Sequence, residues 1–175
     1  MAQDKEDRHS RRIVSSRHLA SDKGWQLSEY EYGLIMAFHA FSRWMVRCMA
    51  AAGKQEMSPL DILVLHHVNH RDRQKRLADI AFLLNVEDVH TVNYALKKLV
   101  KAGLIAGERS GKEIFYSTTK AGQELCEAYR EIREQCLVES LKALDIKSEE
   151  IKHAAAMLRT LSGFYDQASR SAASL

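Results

Sequence analysis

The chain has 175 residues, 46% of them apolar and 28% charged, and 26 Lys+Arg against 23 Asp+Glu leave a net charge of +3. This composition excludes a wholly disordered chain, a collagen-like fibre and a disulfide scaffold. With 8 Gly, 1 Pro and three cysteines (Cys48, Cys126, Cys136) at no metal-binding spacing, an all-β fold is disfavoured. A mainly helical protein of the reducing cytoplasm is expected. No apolar run reaches the roughly eighteen residues of a membrane helix, and MAQDKEDRHSRR lacks the apolar stretch of a signal peptide. No membrane partner is expected.

Residues 1–27 read as a flexible basic arm, with Arg8, Arg11, Arg12, Arg17 and Lys23 among few large apolar groups. Ser28 to Glu31 has the S-x-x-E spacing of a capping box, which predicts a helix from about Glu29 to Ala52, ended by Gly53. Leu34, Ile35, Met36, Phe38, Phe41, Trp44, Met45, Val46 and Met49 surround most of its girth. Such a helix must be covered nearly all round. One small domain has little to cover it with, so residues 28–56 are read as a dimerisation helix and the protein as a homodimer.

Ser58-Pro59 supplies an N-cap and a first-turn proline for the next helix, with Leu60, Leu63, Val64, His67 and Val68 on one face. A short helix over Leu77–Leu84 turns Leu77, Ile80, Ala81 and Leu84 inward. Asp88 caps a helix over about Val89–Ala102, closed by Gly103, with Val92, Leu96 and Leu99 inward. The period then drops to two. Leu104–Arg109 and Glu113–Thr118 flank Ser110-Gly111-Lys112 as a hairpin with a glycine tip. Thr119 caps a helix through about Leu144, with Leu125, Ala128, Tyr129, Ile132, Cys136 and Ala143 on one stripe. Ser148 caps a last helix carrying Ile151, Ala155, Leu158, Leu161 and Tyr165. Both stripes are close to heptad spacing, so residues 120–175 are read as C-terminal dimerisation helices.

Two short helices followed at once by a hairpin predict a winged helix-turn-helix over residues 57–119, mainly α with a small β-wing (α+β). Residues 71–120 hold ten Lys/Arg and six Asp/Glu, a local +4 that marks a polyanion-facing surface. The outer face of the Val89–Ala102 helix presents His90, Thr91, Asn93, Tyr94, Lys97, Lys98 and Lys101. An α-helix fits the major groove of DNA, and the Asn93 amide can pair with an adenine edge while His90 or Thr91 donates to guanine or phosphate. The lysines lie toward the helix C-terminus and suit phosphate. Arg109 and Lys112, on the hairpin, suit an adjoining backbone or minor groove. Double-stranded DNA is the expected partner.

The run MSPLDILVLHHVNH from Met57, followed by LADIAFLLNVEDVHTVNYALKKLVKAGLIAGERSGKEIFYSTTKAGQEL from Leu77 to Leu125, resembles the MarR-type (multiple antibiotic resistance regulator) winged-helix regulators. The matching features are the Ser-Pro helix start, Leu77-Ala78, the recognition-helix ending over Leu99 to Ile105, and Thr119-Lys120-Ala121-Gly122 as a T-x-x-G helix start. The resemblance implies a homodimeric transcriptional regulator, a ligand-responsive repressor reading a pseudo-palindromic operator. It also implies a small-molecule effector between the dimerisation helices and the winged domain, with Phe38, Phe41, Trp44, Leu60 and Val64 as candidate lining groups. The family wing carries an Asp-x-Arg pair. Here the tip reads Ser110-Gly111-Lys112-Glu113, which leaves its role to Arg109 or Lys112.

Other chemistries are thinly represented. His66 and His70 are spaced i, i+4 beside Asp72, a zinc-compatible pair. His67 falls on the apolar stripe and no fourth ligand is near in sequence, so no metal or cofactor is assigned. Cys48 invites a thiol-responsive regulator, yet its place late in a helix disfavours a thiolate. All three cysteines are read as buried filler. No phosphate-binding glycine loop, GxSxG, HExxH or carboxylate pair points to an enzyme. The rival reading is a winged helix used as a protein-interaction module without DNA binding, which would lack the steep salt dependence of DNA binding.

Overall fold

The computed structural model describes residues 24–142 and 146–175. The arm cations from Arg8 to Lys23, and Ala143 and Leu144, lie outside them. The elements are α1 (Trp25–Ala51), α2 (Pro59–Asn69), a 3₁₀ turn (His70–Asp72), β1 (Lys75–Arg76), α3 (Leu77–Leu83), α4 (Val89–Lys101), β2 (Ile105–Ser110) and β3 (Glu113–Thr118). Helix α5 (Lys120–Arg133) continues through a π-helical turn (Glu134–Val138) into α6 (Glu139–Lys142), and α7 (Ser148–Ala172) follows. The fold is the expected one, mostly helical with a small antiparallel sheet. The chain forms two compact units, up to Tyr129 and from Arg130 onward. Among the described residues no helix is long and apolar enough to cross a membrane.

In the first unit Val92, Leu96 and Leu99 of α4 are buried, as are Ile62, Leu65 and Val68 of α2, Ile80 of α3 and Ile105 of β2, and α4 packs against α2, α3 and β2. Each fully buried side chain of this size contributes about 1.5–3 kcal/mol, and together they fix which face of α4 is left outside. The α2 face departs from expectation. Val64 and Val68 point inward as expected, but Asp61, Ile62 and Leu65 complete the buried face, and Leu60, Leu63 and His67 are half-buried. Helix α2 packs against both α1 and α4, so its buried face is wider than a single stripe and includes a charged residue.

The start of α1 is a second correction. The helix begins at Trp25, its N-cap is Gly24, and the Ser28 hydroxyl donates back to the Gly24 carbonyl at 3.5 Å. Trp25 to Leu27 carry no helix breaker, so the helix extends past the spacing that resembled a capping box, and a serine inside a helix bonds to the carbonyl four residues earlier. At its other end Gly53 has φ 101°, the left-handed residue expected there. Met45, Cys48 and Met49 are buried, whereas Ile35, Met36, Phe38 and Phe41 are each more than half exposed.

The sheet has the order β1-β3-β2, all antiparallel. Strand β1 escaped the sequence reading because two residues, Lys75 and Arg76, are too few to show a period. Lys75 is buried, and its ammonium donates to the carbonyls of Val68 (2.9 Å), His70 and Arg73 (3.4 Å). An internal cation thus closes the C-terminal end of α2, while Arg71 takes a left-handed turn at φ 63°.

In the second unit, α7 has 25 residues and none is buried; Ile151, Leu158 and Phe164 are 49%, 44% and 66% exposed. Its N-cap is Lys147, whose amide donates to the Glu150 carboxylate at 2.9 Å, so the Ser148 cap is corrected by one residue. Glutamate reaches back further than the serine hydroxyl and sets the helix start. Cys136, expected as buried filler, is exposed on the π-helical turn, because a π turn shifts the residues after it off the α-helical stripe; Cys48 and Cys126 are buried.

His66 and His67 of α2 add a pH dependence. The Nε2 atom of each is buried with no hydrogen-bond partner among the described residues, and the His66 ring meets Tyr129 edge-on at 4.5 Å. Burial lowers the pKa of both, and Lys75, His70 and Arg73 push that of His67 down further. The native state disfavours protonation of these rings, whereas the unfolded chain protonates them near pH 6.5. Their contribution is therefore present above about pH 6.5 and is lost as pH falls toward the lowered native values. Thermal unfolding should show Tm dropping between about pH 7.5 and about pH 5.5, with a smaller drop in His66→Phe. Equal drops in both proteins would contradict this origin.

Candidate nucleic-acid interface

The N-terminus of α4 is pinned as its sequence requires. The Asp88 carboxylate accepts from the His90 amide at 2.9 Å, and the Thr91 hydroxyl donates to the Asp88 carbonyl at 2.7 Å. With the apolar face buried, His90, Thr91, Tyr94, Lys97, Lys98 and Lys101 are exposed and Asn93 is half-buried. Tyr94 is 72% exposed, although an aromatic ring is normally drawn inward. Lys97 and Lys101 make no hydrogen bond or ion pair with the described residues.

Lys98 is different. Its ammonium lies 2.7 Å from Asp61 Oδ2 and 2.8 Å from the Glu56 carbonyl oxygen. The Asp61 side chain is only 4% exposed and also accepts from the Ser58 amide at 2.8 Å, while the Ser58 hydroxyl accepts from the Asp61 amide at 3.2 Å. A capping box at the start of α2 thereby also ties α4 to α2. The S-x-x-D spacing from Ser58 to Asp61 was its signal in the sequence. Beside it lies an open cavity of about 400 Å³ lined by Ser58, Leu60, His90, Thr91, Tyr94 and Lys98, among others.

On the hairpin, Gly111 has φ 63° and begins the two-residue turn between Ser110 and Glu113. Arg109 Nε donates to the Gly111 carbonyl at 3.3 Å, and Lys112 is exposed with no bond to the described residues. The wing acids are held. Gln74 Nε2 donates to Glu108 Oε2 at 3.1 Å, and Arg76 Nη1 lies 3.2 Å from Glu113 Oε1. The same guanidinium forks onto Asp79, Nε to Oδ2 and Nη2 to Oδ1, both at 3.0 Å. Arg76 thereby holds the Asp79 carboxyl below the usual carboxylate range.

The base of the wing is joined to α5 through Thr119. Its amide donates to the Leu104 carbonyl at 3.1 Å, and its hydroxyl lies 2.7 Å from the Gly103 carbonyl oxygen and accepts from the Gly122 amide at 3.1 Å.

The candidate effector-lining residues have three different surroundings. Phe38 and Phe41 are on the exposed stretch of α1, Trp44 and Leu60 are half-buried, and Val64 is fully buried in the core. Among the described residues no group of three or more His, Cys, Asp or Glu could hold a metal ion.

A family model described as a winged helix DNA-binding domain matches residues 57–122. No curated protein matches the chain. Among solved structures it is similar to a mutant MarR from Escherichia coli complexed with operator DNA, with a TM-score of 0.64 and 15% identity over 81% of this chain and 99% of that one. A Staphylococcus aureus MarR in complex with salicylate and kanamycin gives a TM-score of 0.63 and 14% identity, covering 81% and 93%. The S. aureus MepR–DNA complex gives 0.60 and 20% identity, covering 77% and 97%.

Proposed function

We propose, from a winged helix DNA-binding domain set in a MarR-type fold, that this chain is a homodimeric transcriptional regulator that reads duplex DNA with α4 and the wing. The observation that carries the reading is the division of α4. One face is fully buried, and the other offers polar, aromatic and cationic groups that the described residues leave open to solvent. His90, Thr91, Asn93 and Tyr94 read bases; Lys97, Lys101, Arg109 and Lys112 hold phosphates. Lys98 first locks α4 in place and reaches phosphate only secondarily.

Dimerisation is supported by α7. A helix with no buried residue does not hold its shape in water by propensity alone, and its apolar groups, like Ile35, Met36, Phe38 and Phe41 of α1, need a second copy to cover them. Two α4 helices related by a two-fold then enter successive major grooves about 34–36 Å apart, on an imperfect palindrome. A repressor released by a small-molecule ligand is the finer form of this reading. The similar E. coli MarR and S. aureus MepR are DNA complexes, and the S. aureus MarR holds salicylate and kanamycin. Phe38, Phe41, Trp44 and Leu60 are the groups of this chain that a ligand would meet, with Val64 behind them.

The test compares a duplex selected from random sequence with a scrambled one at several salt concentrations. Asn93→Ala should cost roughly 1–3 kcal/mol per half-site on the selected duplex only. Lys112→Ala should weaken both duplexes alike and flatten the salt slope by about one for each phosphate it no longer holds. If Asn93→Ala weakened both equally and Lys112→Ala changed base preference, these roles would be wrong. A compact 19.9 kDa monomer in sedimentation at micromolar concentration would remove the dimer.

A further inference from the structure

The wing carries four charged residues close to its tip, two acids and two bases, and the structure treats the signs differently. Glu108 and Glu113 are bonded to Gln74 and Arg76, on or beside strand β1. Among the described residues Arg109 bonds only to the turn, and Lys112 to none. A carboxylate left free on a surface that approaches DNA would repel phosphate. Gln74 orients Glu108 but carries no charge, so Glu113, on Arg76, is the tip acid that meets a cation.

Arg76 is built for this. It is the last residue of β1 and pairs with Phe115 of β3, so its backbone is part of the wing sheet, and it immediately precedes α3. Its guanidinium bonds Asp79 through two nitrogens at 3.0 Å and Glu113 through the third, at 3.2 and 3.4 Å from the two carboxylate oxygens. These groups are 41–52% exposed, and ion pairs so exposed add little to stability. The bridge is thus poorly explained as a device for holding the fold. It spans 37 residues of sequence and fixes the first residue of β3, the one directly after Lys112.

The geometry points to Arg76 as the residue that masks a wing acid: it pairs with Glu113 so that, of the charges at the wing tip, Lys112 and Arg109 are the ones left to face DNA, and it is not itself a DNA contact. This rests on the DNA-binding reading above. Asp79 also accepts from the Arg76 backbone amide at 3.2 Å, a bond that does not use the side chain, whereas Glu113 has no other partner among the described residues and lies on the wing itself, so it is the freed carboxylate that would meet DNA.

A double-mutant cycle on DNA affinity, with Tm measured alongside, tests it. Arg76→Gln should weaken binding to selected and scrambled duplexes alike, by about tenfold, because an unpaired carboxylate at the rim repels phosphate regardless of sequence. Glu113→Gln alone should stay within about twofold of wild type, and the double variant Arg76→Gln/Glu113→Gln should recover most of the loss. All three should melt within a few degrees of wild type. Arg76→Gln that is equally weak with and without Glu113, with a salt slope flatter by about one per half-site, would make Arg76 a phosphate ligand and overturn the proposal. A double variant weaker than either single one, together with a fallen Tm, would reduce the bridge to a structural one and also overturn it. Failure of the wild type to bind any duplex would instead overturn the DNA-binding reading beneath.

Discussion

Gly122→Ala should be among the most damaging single substitutions in the winged domain. A Cβ built on Gly122 would stand 2.0 Å from the Leu104 carbonyl oxygen and 2.7 Å from Thr118 Cγ2. The nearer obstacle is backbone, and it cannot swing aside as a flexible side chain could. Leu104 is fixed because its amide donates to the Leu99 carbonyl at 3.0 Å and its carbonyl accepts from the Thr119 amide at 3.1 Å. Making room means breaking the junction at which α4, the wing and α5 meet. The expected cost is roughly 3 kcal/mol or more, in the range of severe overpacking combined with broken buried hydrogen bonds. For a chain of this size that lowers Tm by about 6–12 °C. Thermal unfolding decides it, and a loss below about 2 °C would show that the approach of Gly122 to Leu104 is wrong.

The second large effect is at Asp61. Asp61→Ala removes a buried carboxylate that accepts from the Ser58 amide and pairs with Lys98. It removes the N3 half of the capping box, leaving the Ser58 amide unbonded while the Ser58 hydroxyl still caps α2, and it takes away the carboxylate that, among the described residues, pairs with the Lys98 ammonium. A total of about 2–4 kcal/mol is expected, discounted from the buried-pair range because Lys98 is 42% exposed. Lys98→Ala should also destabilise, since it leaves Asp61 buried without a cation, whereas Lys97→Ala and Lys101→Ala should leave Tm unchanged. If the three lysine variants melted together, Lys98 would be one more solvated cation and its tie to Asp61 would not hold α4.

That contrast also marks the limit of what the sequence revealed. The i, i+4, i+7 spacing of Val92, Leu96 and Leu99 located α4 and its outer face, and the change of period at Leu104 located the wing. Both signals are local, and local signals survive in the fold. Lys98 lies on the outer face by helical period, but its four-carbon stem reaches back to Asp61, which is 37 residues earlier. The pairing of Arg76 with Glu113 is equally remote in sequence. Ser28 fitted a capping box and became a helix-interior residue, because the residues before it form helix as readily as those after it. The α2 face was placed too narrowly, since the sequence does not tell how many neighbours a helix will have.

In the proposed function α4 and the wing bind duplex DNA, base-specifically and through phosphates. The most direct measurement is the affinity of the unmodified protein for a selected duplex and its scrambled counterpart as a function of salt. Lys97, Lys101, Arg109 and Lys112 on two copies can hold up to about eight phosphates, so log affinity should fall against log salt with a slope of roughly −5 to −7 for the selected duplex. That duplex should also bind at least about a thousandfold tighter than the scrambled one. A slope near zero, or equal affinity for the two duplexes at every salt concentration, would contradict the account.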